Sequence, residues 1–450
     1  MSSLLCLGRH HIAGLRSTCG LEFEDWTADY RLFSQARLPV GDLFAVIRNA
    51  VLEQLPADAP LCVAIDDSLL RKQGQHIPGT AWRRDPLGPH FRPNFIWAQR
   101  FLQFSADLPV ADGDHRMIPI SFQHAPTPRK PSPKASESDW TAYKQARRQS
   151  CLSRLASTSI AELRKSLDAT AGGQTRPLLL FVDGGYTNAN VLRGLPLRTT
   201  LVGRIRKDAK LYFLPEAAPD NKQPGRPRRY GAPAPTPEAL RTDESVPWES
   251  IAITIAGTVH TMRVKVLRNL LWRTAGLGHV LQLVVIAGLG YRLRKGGKVL
   301  YRKPAFLICT EPLLDLTTLL QGYVRRWDIE VNFREEKTLL GVGQAEVRHP
   351  QSVETVPAFQ VACYAMLLLA SLRLRKESPD ANVLPAPKWA APQPKARFTT
   401  QRAIAHLRAE VWGRALGLTN FSDFVSSAPT APNPQNLSTQ LASAVIYASS

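Results

Sequence analysis

Two short runs constrain the fold of this chain more than any other feature. P-L-L-L-F-V-D-G-G-Y (177–186) places five apolar residues, an aspartate and two glycines in succession. L-C-V-A-I-D-D-S (61–68) has a similar build and ends in Asp66 and Asp67. Apolar runs of this length, bounded by turn residues, read as buried strands whose C-terminal ends carry carboxylates. T-N-A-N-V-L-R-G-L should open a helix after the second run, and T-T-L-V-G-R-I-R-K (199–207) the next strand. Strand, helix and strand at this spacing imply a parallel pair with a right-handed crossover.

The rest of the chain builds around these strands. Residues 1–58 read as a helical region, either a small DNA reader or a cap on the next domain. Strands are expected at 100–108 and 117–123, joined by a D-G-D turn. Residues 139–168 read as helical and carry Lys144, Arg147, Arg148, Arg154, Arg164 and Lys165. Between 208 and 304 a basic Pro-rich loop precedes antiparallel strands (251–256, 258–267, 280–286) and a hairpin about Gly296-Gly297. A strand at 305–310, a long helix capped by Asp315 or Thr317, and an apolar helix at 354–375 complete a second segment. This divides the chain into 1–58, a core in two parts (59–207 and 305–377), a β-rich insertion (208–304), and a linker, helix and tail (378–450).

Composition speaks to partners. The 450 residues carry a net charge of +20, which favours a polyanion, commonly nucleic acid. An anionic membrane would call for a basic amphipathic helix or a lipid anchor, and neither is evident. The apolar runs 280–289 and 361–370 are shorter than the ~20 residues of a membrane span. The six cysteines are scattered without C-x-x-C spacing, and His76, His90 and His115 lack metal-ligand spacing, so a reducing, cytoplasmic and nucleoid-associated setting is expected.

The stretch Y-V-R-R-W-D-I-E-V-N-F-R-E-E-K (323–337) carries the chemistry. On one continuous helix, Tyr323, Arg326, Glu330 and Lys337 would fall within an arc of about 60°. Such a stripe is either a salt-bridge ladder or a site. If the strands ending in Asp67 and Asp183 are neighbours, both carboxylates emerge at one sheet edge, and a helix across that edge adds Glu330. Three converging carboxylates need divalent cations or raised pKa values. Oxygen-only ligands select Mg²⁺ or Mn²⁺, and two such ions suit phosphodiester chemistry.

With these residues in view, the chain resembles the DDE transposases of bacterial insertion sequences, the group with the Y-x2-R-x3-E-x6-K signature. Tyr323, Arg326, Glu330 and Lys337 match all four positions. A-I-D-D-S (64–68) is similar to the first-Asp region and L-F-V-D-G-G-Y (180–186) to the second, over roughly 60–410. The resemblance implies an α/β fold: an RNase H-like mixed sheet flanked by helices, interrupted by an antiparallel β insertion. It implies a catalytic and metal-holding triad of Asp67, Asp183 and Glu330, with Asp67 bridging two Mg²⁺ ions (Mn²⁺ as substitute). Asp67 is preferred because it directly precedes the hydroxylated Ser68, which leaves Asp66 on the opposite face. Glu335 and Glu336 leave the stripe. Tyr323, Arg326 and Lys337 would contact DNA phosphates.

P-G-R-P-R-R (224–229) resembles an AT-hook core and otherwise reads as a basic loop on phosphates. Both readings make Arg226, Arg228 and Arg229 DNA contacts. Family members that form DNA hairpins hold a flipped base on a tryptophan, for which Trp248 and Trp272 are available. W-R-R-D (82–85) and R-R-Q (147–149) are further candidate contacts. The expected function is a transposase acting on double-stranded DNA: binding terminal inverted repeats, cleaving there, and joining 3′-OH ends to target DNA, as a homodimer in the complex. The alternatives are a catalytically silent, domesticated DNA-binding regulator and a stand-alone nuclease.

Overall fold

A computed structural model describes all residues except 36, 90, 111–113, 216–227, 256, 277, 289, 292–297, 299, 302, 378–398, 413–444 and 446–450. Four helices lead: α1 (Ser2–Leu5), α2 (Ile12–Thr18), α3 (Thr27–Ser34) and α4 (Val40–Gln54). The first core segment comes next, with β1 (Leu61–Arg71), β2 (Ala81–Arg84), β3 (Phe95–Pro109), β4 (His115–His124), α5 (Glu137–Gln149), α6 (Leu152–Asp168), β5 (Leu178–Val182), α7 (Ala189–Arg193) and β6 (Thr199–Arg204). After it stand β7 (Tyr212–Phe213), α8 (Pro237–Thr242), β8 (Glu249–Ile255), β9 (Thr258–Leu271), β10 (Leu281–Ile286), β11 (Gly290–Tyr291) and β12 (Leu300–Tyr301). The chain closes with β13 (Ala305–Cys309), α9 (Leu316–Arg325), α10 (Asp328–Thr338), α11 (Pro350–Glu377) and α12 (Thr400–Trp412).

Eleven strands form one mixed sheet in the order β2-β3-β1-β5-β6-β13-β10-β9-β7, with β4 on β3 and β8 on β9. The fold is α/β and RNase H-like. β1, β5 and β6 are parallel, as the strand–helix–strand spacing requires. The expected antiparallel strands extend this same sheet, because β13 pairs with β6 and β10 with β13. β11 and β12 pair as a small ribbon; the hairpin tip at Gly296-Gly297, Arg226 and the 378–398 linker lie outside the described residues.

Alternation along the strands divides the interior. Val63, Ile65, Leu178, Leu180 and Val182 pack in one cluster with residues of α4, α6 and α11. Leu179 and Phe181 face the other way, onto Leu316, Leu319 and Leu320 of α9, and Ala64 meets Ile329 and Phe333 of α10. Helices on both faces bury the sheet, a stable layering for such strands. α11 is long and apolar enough to cross a membrane by length and composition alone, yet 78% of that window is buried inside the protein.

The stretch 323–337 is two helices rather than one. α9 ends at Arg325 and α10 begins at Asp328. Across the junction, Trp327, Ile329 and Glu330 donate to carbonyls three residues back, the tighter spacing of a 3₁₀ turn. The two helices follow different strands, α9 over β5, β6 and β8, α10 over β1 and β4, and a twisted sheet turns those strands relative to each other. The part-buried ion pair of Arg325 with Asp107 on β3 (2.9 Å) holds the bend. Close approach of α9 to the sheet depends on Gly322, where a Cβ would run into the Phe181 ring. Gly322→Ala should destabilise the protein by about 1–3 kcal/mol through overpacking, read as a lower melting temperature; an unchanged melt would refute the tight fit.

Candidate active site

The register of β1 on β5 decides which aspartates meet. Ala64 pairs with Phe181 and Ile65 with Val182. One further step sets Asp66 beside Asp183, and in-register residues on neighbouring parallel strands project to the same face. That is the face of Leu179 and Phe181, covered by α9 and α10. Asp66 therefore lies beneath the helices that supply Arg326 and Glu330, and an Arg326 Nη1 stands 3.7 Å from Asp66 Oδ2. Asp67, the aspartate preferred from the sequence, does not share this face. Strand alternation does separate the two aspartates, but the helix bearing Glu330 covers the face of Asp66.

Asp67 points to the opposite side, where it is already satisfied. Tyr186 Oη donates to Asp67 Oδ1 at 2.9 Å, and Arg100 Nε lies 3.0 Å from Oδ2. Tyr186 is buried, and it belongs to the Asp183-Gly-Gly-Tyr turn. Asp67 thus ties that turn to β1 and fixes Asp183 alongside Asp66. Asp183 is further held by the Gly185 N–H, which donates to its Oδ1 at 2.8 Å, and by Thr187 Oγ1, which donates to its carbonyl.

Electrostatics follow the same grouping. Burial and then the charge of Asp183 push the Asp66 carboxyl up to about 7, against the pull of the Asp67 N–H and Arg326. Burial also raises Glu330, with Arg326 lowering it and Asp183 raising it. Asp183 is thus the carboxylate whose charge is felt by both others. Arg326 is buried, and its guanidinium lies 5.7 Å from the centre of the Tyr323 ring. Burial raises the Tyr323 hydroxyl, while the charges of Arg204 and Arg326 lower it. Arg204, at the end of β6, went unnoticed in the sequence; its only signal was a cation closing an apolar strand. Lys337 is lowered by burial, with Glu336 raising it.

The neighbouring acids are engaged elsewhere. Glu335 accepts from Arg116 (2.7 Å) and Tyr364 (2.6 Å). Glu336 is buried and raised to about 8, chiefly by that burial. Asn332 donates to the Met117 carbonyl and Tyr364, and accepts from Ser105, which fixes α10 against β3, β4 and α11.

The other expected residues that the structure describes have surroundings of their own. Arg228 and Arg229 are exposed. The Trp248 ring carries Lys265 at 4.8 Å and Arg263 at 5.6 Å. Lys265 is itself buried, and its ammonium donates to the carbonyls of Leu240, Arg241 and Asp243 at the end of α8. Trp272 packs half-buried against the main core. In β2, Trp82 is exposed and meets Trp97 edge-on.

Among the described residues, no three acidic, histidine or cysteine side chains stand close enough to hold one ion together. The donor chemistry nevertheless suits hard divalent cations: oxygen only, with Asp66 raised by burial and by the charge of Asp183. The DDE superfamily endonuclease family matches residues 3–276, more than half of the chain. The chain belongs to the DDE superfamily endonucleases. Nuclease-type chemistry on DNA and a need for divalent metal ions are the properties of that family. The matched region of this endonuclease includes Asp66, Asp67 and Asp183 and stops before α9 and α10. No curated protein matches the chain.

Proposed function

We propose that this endonuclease is a transposase. It binds the terminal inverted repeats of its own element, hydrolyses a phosphodiester bond at each end, and joins the freed 3′-OH to target DNA. Two ends call for two active sites, hence a homodimer in the DNA complex. The observation that carries the reading is Asp66 in register with Asp183, overlaid by the helices that bring Arg326 and Glu330.

Asp66, Asp183 and Glu330 would together hold two divalent ions, Mg²⁺ with Mn²⁺ as substitute. Bound there, the ions would supply an activated hydroxyl and stabilise the leaving oxygen. The chain's own residues do the rest. Asp67 and Tyr186 act as positioning residues that keep the Asp183 turn on β1. Arg326 presents two N–H groups to a non-bridging phosphate oxygen, a geometry to which a planar guanidinium is suited, and Tyr323 backs its face. Lys337 adds a point charge further along α10. Arg226, Arg228 and Arg229 are proposed to meet phosphates away from the reacting bond, and Trp248 and Trp272 to line the DNA path.

The test uses DNA from the flanks of the gene as candidate ends, with Mg²⁺, beside Glu330→Gln. Cleavage by the wild type with joined-strand products, lost in the variant while binding persists, is the expected result. Binding without cutting in either Mg²⁺ or Mn²⁺ would instead identify a catalytically silent regulator. Cutting without joined strands would identify a stand-alone nuclease.

A further inference from the structure

α5 has a well-made start and little to rest on, with only Trp140, Tyr143 and Ala146 partly covered. Ser136 and Asp139 close a capping box at its N-terminus, yet none of its thirteen residues is buried. A helix of that length without a packed face is marginal in water. Its second half is basic, with Lys144, Arg147 and Arg148, and Arg154 stands in the first turn of α6. These four cations, with Tyr143 and Asn190, line a surface depression of about 440 Å³ that holds no carboxylate. Among the described residues, none of the four forms an ion pair. Asn190 Nδ2 donates to Ser153 Oγ at 2.8 Å, which joins the wall of the depression to α7. α7 comes directly after the Asp183 turn, so the depression lies at the end of the sheet where β5 delivers Asp183.

We infer that α5 and the start of α6 form a docking surface for the phosphate backbone of the DNA flanking the cleaved bond. The inference rests on DNA being the substrate. Charge complementarity names the occupant, since exposed long cations without an acidic partner suit successive phosphates rather than base edges. Bound DNA also supplies the packing that α5 lacks within its own chain. A small anion would be held by fixed, buried donors, whereas these cations are exposed.

The test compares the triple variant Lys144→Gln, Arg147→Gln, Arg148→Gln with the wild type in duplex DNA binding. Fluorescence anisotropy is read over a salt series in EDTA, so that no cutting intervenes. Three lost phosphate contacts should flatten the slope of log affinity against log salt by about 2–3, with more than about a tenfold loss of affinity at low salt. The double variant Arg373→Gln, Lys376→Gln, at the end of α11, controls for net charge and should lose much less per charge removed. Amide exchange along α5 should slow when DNA is added. Because Lys144, Arg147 and Arg148 are exposed, the triple variant should melt with the wild type.

Equal loss per charge in the two variants, or unprotected α5 amides in the complex, would overturn the inference, as would a wild type that does not bind duplex DNA. A wild type that binds through α5 yet cuts no end DNA would leave this surface standing and remove the transposase reading alone.

Discussion

Asp66→Asn should abolish metal-dependent DNA cleavage, whereas Asp67→Asn should leave it measurable. Losing a carboxylate that holds a catalytic cation removes several kcal/mol of transition-state stabilisation, and about 4 kcal/mol corresponds to a roughly 10³-fold fall in rate. Asp67 meets no such demand. It accepts from Tyr186 and pairs with Arg100, and an asparagine oxygen can still accept the Tyr186 bond. Its replacement should lower stability by loosening the Asp183 turn and slow cleavage far less. Single-turnover cleavage of end DNA, with binding measured separately, discriminates the two. A dead Asp67→Asn beside an active Asp66→Asn would reverse the assignment drawn from the β1–β5 register.

Metal-free stability should fall as the pH rises from about 5 to 8. Asp66 is raised to about 7 and Glu336 to about 8, above the ordinary carboxylate range. Between the unfolded and folded pKa values, the folded state holds protons that the unfolded chain has released. Stability is therefore greatest at the acid end of that window and declines as the pH climbs through the folded values. For Asp66, buried and beside Asp183 and Arg326, the shift sets an upper bound of about 4 kcal/mol. A divalent ion held by Asp66, as proposed, would compete with the proton there, so Mg²⁺ should raise the melting temperature more at pH 8 than at pH 6. Asp66→Asn should remove the Mg²⁺ effect along with part of the pH slope. Glu336→Gln, buried beside Gln103, Glu335 and Lys337, should remove the other part and leave the Mg²⁺ effect intact. Melting temperatures flat with pH in EDTA would refute both shifts.

These results would also separate the two roles of the D-D pair. In the proposed site one acid would be relieved by a cation, and the other is paired within the fold with Arg100 and Tyr186. A protein that gains metal-free stability on losing Asp66 while losing activity would show a site held in a costly arrangement for function.

Much of the architecture was legible from apolar runs alone. The two carboxylate-ended runs became β1 and β5, and the strand-rich segment after 208 became antiparallel strands on the same sheet. Of the two cap candidates before α9, Asp315 and Thr317, it is Asp315 that accepts from the Thr318 N–H. Periodicity overreached in the stretch 323–337. A helical wheel assumes one straight axis, and nothing in Arg325-Arg326-Trp327 announces a bend, since no proline or glycine falls there. The bend comes from docking on two differently oriented parts of a twisted sheet and from Asp107, more than two hundred residues earlier in the chain.

The first aspartate shows where sequence ends and tertiary structure begins. Alternation, a local property of any strand, determined that Asp66 and Asp67 face opposite ways. Which face receives α10 depends on the crossover of the chain, and which residue stands beside Asp183 depends on the register of β1 on β5. Both are long-range choices made by the packing of Leu179 and Phe181 on α9 and of Ala64 on α10. By itself the sequence determined the elements, the charge and the residue types of the site. Only the tertiary structure decided that Asp66 joins Asp183, that Asp67 braces the turn, and that Arg326 closes over them, because a one-residue shift in register exchanges every side chain between the two faces of a strand.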